Sequence, residues 1–204
     1  MNQSIADRIE GLKNNKPMEV ISAPQLFETP CELAQRMADI ALEPHTYGNG
    51  LRGWDETDMR ILEPSAGTGV LVGALGTSWH PKGELVAVEI NHKLANRLED
   101  EFPLTMVINR DFLEIYNLDL FDRIIMNPPF INGSDIKHIK HALNFLKSDG
   151  RLVAICADGP RQQKQLETLA NDSGGWYESL PDGTFKDKGT NVNTALLVIE
   201  GAGL

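Results

Sequence analysis

The tetrapeptide Asn127-Pro128-Pro129-Phe130 carries the residue types best suited to chemistry, and it directly follows an apolar segment of strand length at residues 121–126. Neither proline can donate a backbone hydrogen bond, and each disfavours the helical conformation in the residue before it. The sequence therefore predicts a stiff turn at the carboxyl end of a strand. Such a turn presents the Asn127 amide, the Pro128 carbonyl and the Phe130 ring.

These three groups suit the methylation of an exocyclic amine on a nucleobase. The amine nitrogen is a poor nucleophile because its lone pair is delocalised into the ring. The Asn127 side-chain oxygen and the Pro128 carbonyl could accept its two hydrogens and favour a pyramidal nitrogen, while Phe130 stacks on the base. The amine could then attack the methyl group of a sulfonium in line. The competing interpretation is a plain turn with a buried aromatic ring, because short motifs also arise by chance.

A glycine-rich loop lies upstream of the tetrapeptide. Residues 60–63 are predicted to form a short strand, residues 64–69 a loop and residues 70–75 a helix. This order is typical of a nucleotide-binding unit. The dinucleotide fingerprint G-x-G-x-x-G is incomplete, because its third glycine would fall at Val72.

The loop instead suits S-adenosylmethionine. Glu63, at the end of the strand, would repel a pyrophosphate but would attract an ammonium group. S-adenosylmethionine carries an ammonium group and a sulfonium, and it has no phosphate. Gly67 and Gly69 would let the backbone approach this cofactor closely.

Acidic residues follow the next two predicted strands. Glu89 ends the strand at residues 84–89, which is the expected place for an acid that binds ribose hydroxyls. Asp111 follows the strand at residues 104–108 and could accept a hydrogen bond from an adenine amine, with Phe112 beside the ring. The alternative for both acids is a solvated turn between strand and helix.

Alternating strands and helices predict the α/β class: a Rossmann-like, seven-stranded, mostly parallel sheet with helices on both faces and an antiparallel edge strand. Ligands in such sheets bind at the carboxyl ends of the strands, where the strand order reverses. We therefore expect Gly67 and Asn127 to face each other. The remaining predicted strands cover residues 121–126, 151–156, 176–180 and 193–200, and the remaining predicted helices start near residues 3, 29, 91, 134 and 160.

Several local signals set the expected element ends. Thr29 is the predicted N-cap of a helix, with Pro30 as its first residue and Glu32 as the capping-box partner. Asn91 is the predicted N-cap of the helix after the second strand. The helix that starts at residue 134 is expected to run to Leu146. Residues 44–58 and 181–191 are rich in turn-forming residues and are predicted to be loops.

Length and charge limit the functions that the chain can have. Its 204 residues suit one domain (1–204), with an N-terminal lead-in at 1–28 and a catalytic core at 29–200. The formal charge of −10 weighs against tight, non-specific binding of a long duplex, so a nucleic-acid contact needs a local basic rim. The late loop offers candidates for touching the substrate: Lys186, Lys188, Thr190 and Asn191. A mobile surface loop is the alternative there.

Other signals favour a cytoplasmic protein without a metal. No apolar run approaches the ~18 residues that span a membrane, and the N-terminus lacks the pattern of a signal peptide. Cys31 and Cys156 have no metal-ligand spacing and are expected to be free thiols. His138 and His141 are expected on a solvated helix face, with contact to phosphate as the alternative. Methylation of an amine needs no strong general base, since the proton can leave after the nitrogen has become cationic.

From about Gln25 to Glu200, the sequence resembles class I S-adenosylmethionine-dependent methyltransferases, and more narrowly the DNA N6-adenine type. The matching segments are Phe27-Glu28-Thr29-Pro30, the glycine loop from Glu63 to Gly69, Glu89-Ile90, Asp111-Phe112 and the tetrapeptide. The resemblance implies a catalytic role for Asn127, Pro128, Pro129 and Phe130. It implies cofactor binding by Phe27, Thr29, Pro30, Glu63, Pro64, Ser65, Gly67, Gly69, Glu89, Ile90, Asp111, Phe112 and Asn127.

Two departures leave the acceptor open. The first position of the family's catalytic motif is often aspartate, whereas here it is Asn127. Asn-Pro-Pro-aromatic is also found in enzymes that methylate guanine in ribosomal RNA or a glutamine in release factors. The chain has little room for a target-recognition region, which suggests a small, weakly specific enzyme like those of phages and plasmids.

The predicted function is methylation of adenine N6 in DNA, because the Thr29-Pro30 arrangement favours the DNA branch of the family. The base would be flipped out of the stack. The first alternative is an amino-group methyltransferase that acts on ribosomal RNA guanine or a protein glutamine. The second is a cofactor-binding module without catalysis.

Overall fold

The computed structural model describes residues 27–43, 46–47, 50–51, 59–78 and 83–201. The predicted helix near residue 3 and the lead-in up to residue 26 lie outside the described residues. The strands are β1 (Thr46–Tyr47), β2 (Gly50–Leu51), β3 (Arg60–Glu63), β4 (Glu84–Val88), β5 (Thr105–Ile108), β6 (Phe121–Met126), β7 (Leu146–Ala157), β8 (Trp176–Ser179) and β9 (Thr194–Glu200). The helices are α1 (Cys31–Leu42), α2 (Val70–Ser78), α3 (His92–Glu101), α4 (Ser134–Ala142), α5 (Pro160–Gln162) and α6 (Thr168–Asp172).

Seven of these strands form one sheet in the order β5-β4-β3-β6-β7-β9-β8. All neighbours from β5 to β7 are parallel, while β9 runs antiparallel to both β7 and β8. The predicted fold class is thereby confirmed. The strand order reverses between β3 and β6, so the loops after these two strands open a crevice between them.

Helices cover both faces of the sheet, because successive side chains of a strand point to opposite faces. On one face, Ile61, Ile125 and Val153 pack with residues of α1 and α2. On the other, Leu62, Ile124 and Leu152 pack with residues of α4 and α6. None of the helices in the described ranges has the length and apolar character needed to cross a membrane.

Two buried arginines fix the carboxyl end of α1 to the sheet. Arg123, in β6, is fully buried and donates from Nε to the carbonyl of Ala41. Arg151, in β7, donates from Nη1 to the carbonyl of Ile40 at 2.8 Å. The last carbonyls of a helix lack partners within the helix, so these bonds satisfy them. They also fix α1, and with it the segment before α1, against the central strands.

Burial lowers the pKa of the Arg123 guanidinium to about 10, and the neighbouring charge of Arg151 adds to this effect. The group therefore stays protonated at neutral pH. It can keep donating to the end of α1 over the whole physiological range.

The predicted N-cap at Thr29 is wrong. Helix α1 starts at Cys31, Pro30 occupies the N-cap position, and no side chain caps the helix. The Thr29 hydroxyl instead accepts a hydrogen bond from Asn127, at the end of β6. A tertiary partner has thus replaced the local one. The cap predicted at Asn91 is confirmed, because its side chain accepts from the backbone N–H groups of Lys93 and Leu94.

The region after α4 also departs from prediction. The helix ends at Ala142, a 3-10 turn covers Leu143–Phe145, and Leu146 already belongs to β7. Strand β7 continues through residues 148–150, which were expected to turn. Its register with β6 shifts there, from Phe121 opposite Leu146 to Arg123 opposite Arg151. The predicted loop at residues 44–58 contains the short antiparallel pair β1–β2. The helix predicted from residue 160 is interrupted by a π turn at Gln163–Glu167.

Candidate active site

A cavity of about 480 Å³ opens at the carboxyl ends of β3, β4, β5 and β6. This volume is typical of small-molecule sites. Of the predicted cofactor residues, the cavity is lined by Phe27, Thr29, Glu63, Pro64, Ser65, Gly67, Glu89, Ile90, Asp111, Phe112 and Asn127. The predicted catalytic residues Pro128, Pro129 and Phe130 line it as well, whereas Pro30 and Gly69 do not. Gly67 and Asn127, which were expected to face each other, thus line the same cavity.

The two glycines of the loop have different roles. Gly67 has a φ of 54° and lines the cavity, where its backbone N–H donates to Glu89 Oε2 at 2.8 Å. Gly69 has a φ of 81°, and a Cβ there would lie 2.5 Å from Cε2 of Phe102 in the loop after α3. Position 69 therefore needs glycine, both for its left-handed backbone and for its close packing against Phe102.

The Glu89 carboxylate connects the glycine loop to the start of α3. Its Oε2 accepts from Gly67, and its Oε1 accepts from the backbone N–H of Asn91 at 2.7 Å. The side chain is 8% exposed. Because each carboxylate oxygen has two lone pairs, both can still accept from a ribose hydroxyl.

Glu63 is a buried acid with an unsatisfied oxygen. It is 1% exposed, and no described residue bonds its Oε2. Burial raises the pKa of the Glu63 carboxyl well above its usual range; a backbone N–H from Val72 opposes the shift, and the neighbouring charge of Glu89 adds to it. A bound cation would compensate both the burial and the repulsion. The site therefore fits a ligand with an ammonium group.

Asp111 and Phe112 form the far wall of the cavity. Asp111 Oδ1 accepts from the backbone N–H of Leu113 at 2.9 Å, which fixes the carboxylate beside the ring of Phe112. Phe112 is 3% exposed and lies edge-on to His141, with ring centroids 4.9 Å apart. Ile90, also on the lining, is 66% exposed although it is apolar. These groups suit a flat, partly apolar ligand with an amine.

The side chain of Asn127 is fixed in one orientation. Its Nδ2 donates to the backbone carbonyl of Phe27 at 2.9 Å and to Thr29 Oγ1 at 3.1 Å. A backbone carbonyl can only accept, so the nitrogen and the oxygen of the amide are assigned unambiguously. Asn127 Oδ1 is buried without a partner among the described residues. The site therefore holds an oriented acceptor that lacks a donor.

Phe130 lies between two other phenylalanines. Its ring is stacked with Phe27 at a centroid distance of 6.5 Å and lies edge-on to Phe185 at 6.3 Å. Phe185 belongs to the late loop and is fully buried. Phe185 is not among the residues predicted for the site. An aromatic residue within a polar, turn-rich loop does, however, indicate a position where the loop packs against the core.

The other late-loop candidates do not line the cavity. Lys188 Nζ forms an ion pair with Glu28 Oε2 at 3.3 Å, and Glu28 does line it. A 3-10 turn covers Lys186–Lys188, and Thr190 and Asn191 follow it. Contact of Lys186, Lys188, Thr190 and Asn191 with substrate remains a prediction.

The prediction of a solvated face for His138 and His141 is wrong. His138 is 7% exposed and lines the cavity. His141 is half-buried, and its Nε2 lies 2.8 Å from the carbonyl oxygen of Ile115. Helix α4 is covered by the sheet on one side and by Phe112 on another, so its buried face is wider than the sequence pattern suggests. In the described ranges, no group of three or more His, Cys, Asp or Glu side chains could hold a metal ion.

A family model matches the central part of the chain. The model described as methyltransferase small domain matches residues 53–173, which is more than half of the chain. The chain belongs to the methyltransferase small domain family. This family agrees with the predicted cofactor, S-adenosylmethionine. A search of curated protein sequences found no match.

Solved structures show the same fold. TrmN from Thermus thermophilus is 17% identical, with a TM-score of 0.61 over 83% of this chain and 48% of that chain. A proposed RNA methyltransferase from Pyrococcus horikoshii is 18% identical, with a TM-score of 0.61 over 96% of both chains. M. jannaschii TYW2, solved in complex with AdoMet, is 20% identical, with a TM-score of 0.57 over 89% of this chain and 78% of that chain. The family member thus spans about half the length of TrmN.

Proposed function

We propose that this methyltransferase acts on the exocyclic amine of a nucleobase, and specifically on N6 of adenine in DNA. The observation that carries the proposal is the fixed, unpartnered Oδ1 of Asn127 on the cavity wall. An amide acceptor suits an amine, because it binds the hydrogens of the nitrogen without removing them. A nucleophile that needed deprotonation would call for a base instead.

The tetrapeptide would align the amine. Asn127 Oδ1 and the Pro128 carbonyl accept its two hydrogens, so the lone pair turns away from the ring system. The amine nitrogen would bond to the methyl carbon while the carbon–sulfur bond breaks and its electron pair stays on sulfur. The nitrogen would then release a proton to water. Most of the acceleration comes from positioning, which can contribute about 7–11 kcal/mol in well-oriented reactions.

The residues of the cavity fit S-adenosylmethionine, which supplies a methyl group bound to a positively charged sulfur. Glu63 would bind the ammonium group, which explains why a buried carboxyl with an unpaired oxygen is kept there. Glu89 would bind the ribose hydroxyls, and Asp111 would bind the adenine amine. Each of these acids follows or ends a different strand, so the sheet sets their spacing.

Two observations support a nucleobase as the acceptor. Phe27 and Phe130 offer aromatic faces beside Asn127, and stacking on such faces is how extruded bases are held. Structures of the same fold include proteins described as RNA methyltransferases. Identities below a quarter support the fold alone, so RNA remains the competing acceptor. DNA is favoured because the Phe27-Glu28-Thr29-Pro30 segment resembles the DNA branch and contacts Asn127 directly.

Transfer of tritiated methyl from S-adenosylmethionine tests the proposal. The acceptors are unmethylated DNA, ribosomal RNA and a release factor, assayed in parallel with the wild type and with Asn127→Ala. Asn171→Ala, at an exposed site on α6, is the matched control. We expect label in DNA adenine that disappears with Asn127→Ala and persists with Asn171→Ala. Label in RNA or protein would reject the DNA assignment, and label that survives Asn127→Ala would reject the mechanism.

A further inference from the structure

His138 lies on the cavity wall, and none of the roles described above involves it. Its Nδ1 lies 2.8 Å from the backbone carbonyl oxygen of Ser134, one turn earlier in α4, and 3.2 Å from the hydroxyl of the same residue. The carbonyl can only accept, so Nδ1 carries the ring proton. Nε2 is therefore the unprotonated nitrogen, and it is a hydrogen-bond acceptor.

This acceptor has no partner among the described residues. The contrast with His141, one turn further along α4, is informative, because its Nε2 lies 2.8 Å from the carbonyl oxygen of Ile115. A ring nitrogen that can accept and has no protein partner is available to a donor on a ligand. Since His138 is 7% exposed and lines the cavity, the missing donor is expected to come from what the cavity binds.

The position of His138 indicates which part of the ligand it meets. In doubly wound sheets, the acid after the glycine loop binds the ribose, so the base lies beyond it toward the next strand. Glu89 follows β4, and Asp111 and Phe112 follow the neighbouring β5. The Phe112 and His138 rings lie 6.2 Å apart, and the charge of Asp111 reaches His138. The wall around the base is thus built from Asp111, Phe112 and His138.

We propose that His138 determines specificity for the adenine of the cofactor. Its Nε2 accepts one hydrogen of the C6 amine, and the Asp111 carboxylate accepts the other. A base with an oxygen at C6 would place a third acceptor against these two acceptors, so it would bind poorly. This inference rests on the cofactor and not on the proposed acceptor, so it can fail while the proposed function stands.

The protonation state of His138 agrees with this role. Burial lowers the pKa of His138 below its usual range, which keeps the ring neutral at physiological pH; the Ser134 carbonyl and the carboxylates of Asp111 and Asp135 act in the opposite direction. His141, on the same helix, lowers the pKa of His138 further. Once protonated, Nε2 becomes a donor, and the preference for an amine over an oxygen reverses.

The experiment measures binding rather than turnover. The affinities of S-adenosylhomocysteine and of its hypoxanthine analogue are determined by calorimetry for the wild type, His138→Phe and His138→Gln. For His138→Phe we expect the adenine ligand to bind about 5- to 10-fold more weakly and the hypoxanthine ligand to change less than about twofold. His141→Phe is the matched control, because it removes a neighbouring imidazole that does not line the cavity. An equal loss for both ligands in His138→Phe, or no loss, would overturn the proposal.

The pH dependence of ligand binding provides a second test. When the pH falls from about 8 to about 5.5, affinity for the adenine ligand should decrease and affinity for the hypoxanthine ligand should increase. The same series with His138→Gln is the control, in which the opposite responses should disappear. Responses of the same sign for both ligands in the wild type would overturn the proposal.

Discussion

Asn127 Nδ2 donates to the hydroxyl oxygen of Thr29 at 3.1 Å, although the two residues lie 98 positions apart in the chain. This bond joins the segment before α1 to the end of β6. In the described part of the chain, the Oδ1 of Asn127 has no partner. Arg123 and Arg151 fix the other end of α1 to the sheet. The amide that we propose to be catalytic is therefore positioned by the segment before a helix that supplies none of the predicted catalytic residues.

Replacing Thr29 with valine should mainly slow the chemical step. Valine keeps the shape of threonine but cannot accept from Asn127, so the amide retains only its bond to the Phe27 carbonyl. We expect kcat to fall about tenfold, because the misplaced amide aligns the amine less often. Steady-state kinetics with DNA would show the loss in kcat, and Thr29→Ser should restore most of it. A normal kcat in Thr29→Val would exclude a positioning role.

Glu63→Gln should weaken the binding of the cofactor. The neutral amide cannot attract an ammonium group, so we expect binding of S-adenosylmethionine to weaken by about 10- to 100-fold. Calorimetric titration of the cofactor measures this loss. An unchanged dissociation constant would contradict the assignment of Glu63 to the ammonium group.

Glu63 should also make the folding stability of the unliganded protein decrease as the pH rises. Burial raises the pKa of Glu63 in the folded state, so the folded protein holds this proton more tightly than the unfolded chain. Its contribution to stability is fully present below the unfolded pKa and is lost as the pH rises through the folded pKa. Thermal melting from acid to neutral pH should show a decline in the wild type that is smaller in Glu63→Gln. Parallel melting curves would argue against the raised pKa.

Gly69→Ala should destabilise the protein without touching the cavity. The backbone there has a φ of 81°, and the new Cβ would lie 2.5 Å from the ring of Phe102. Together, strain and overpacking should cost about 2–4 kcal/mol of the free energy of unfolding, measured by urea denaturation. The control is Gly76→Ala in α2, where no atom of the described residues lies within 4 Å and alanine should stabilise the helix by about 0.5–1 kcal/mol. A Gly69→Ala variant as stable as the wild type would refute the packing described for this turn.

Glu28→Gln should increase affinity for DNA. Glu28 holds Lys188 in an ion pair, and a phosphate would have to replace it as the partner of that lysine. Without the competing carboxylate we expect binding about 2- to 5-fold tighter and a steeper dependence on salt. Fluorescence anisotropy over a salt series measures both quantities. Glu99→Gln, on the exposed face of α3, removes the same charge elsewhere, and an equal gain there would indicate a net-charge effect only.

The two thiols should differ in reactivity. Cys31 is exposed, whereas Cys156 is fully buried, and burial raises the pKa of its thiol to about 12. Only thiolates react with disulfide reagents, so the folded protein should release one equivalent of thionitrobenzoate and the denatured protein two. Two equivalents from the folded protein would show that β7 opens at its carboxyl end.

Much of the fold follows from local patterns that the structure preserves. The predicted strands match the observed ones to within one residue, apart from the strand predicted at residues 151–156. The acids Glu63, Glu89 and Asp111 lie around one cavity, because parallel strands end at the same edge of the sheet. For the same reason the tetrapeptide faces the glycine loop.

The features that were predicted wrongly depend on residues distant in the chain. Thr29 has the local chemistry of an N-cap, and only the end of β6 explains why its hydroxyl bonds elsewhere. The early start of β7 depends on its register with β6. His138 has a polar type and a helical position that favour a solvated face, yet Phe112 and the sheet bury it. In each case a tertiary contact overrides a local preference.

Strand β9 is the last strand of the sheet along the chain, and it lies between β7 and β8 rather than at an edge. During synthesis, β8 therefore leaves the ribosome before the strand with which it must pair. Until residues 194–200 emerge, β7 presents an open edge and residues 176–179 have no place in the sheet. Phe185, which packs against Phe130, is made in the same interval. The acceptor side of the site is thus completed only when the final strand inserts, so a nascent chain stalled before that point would lack it.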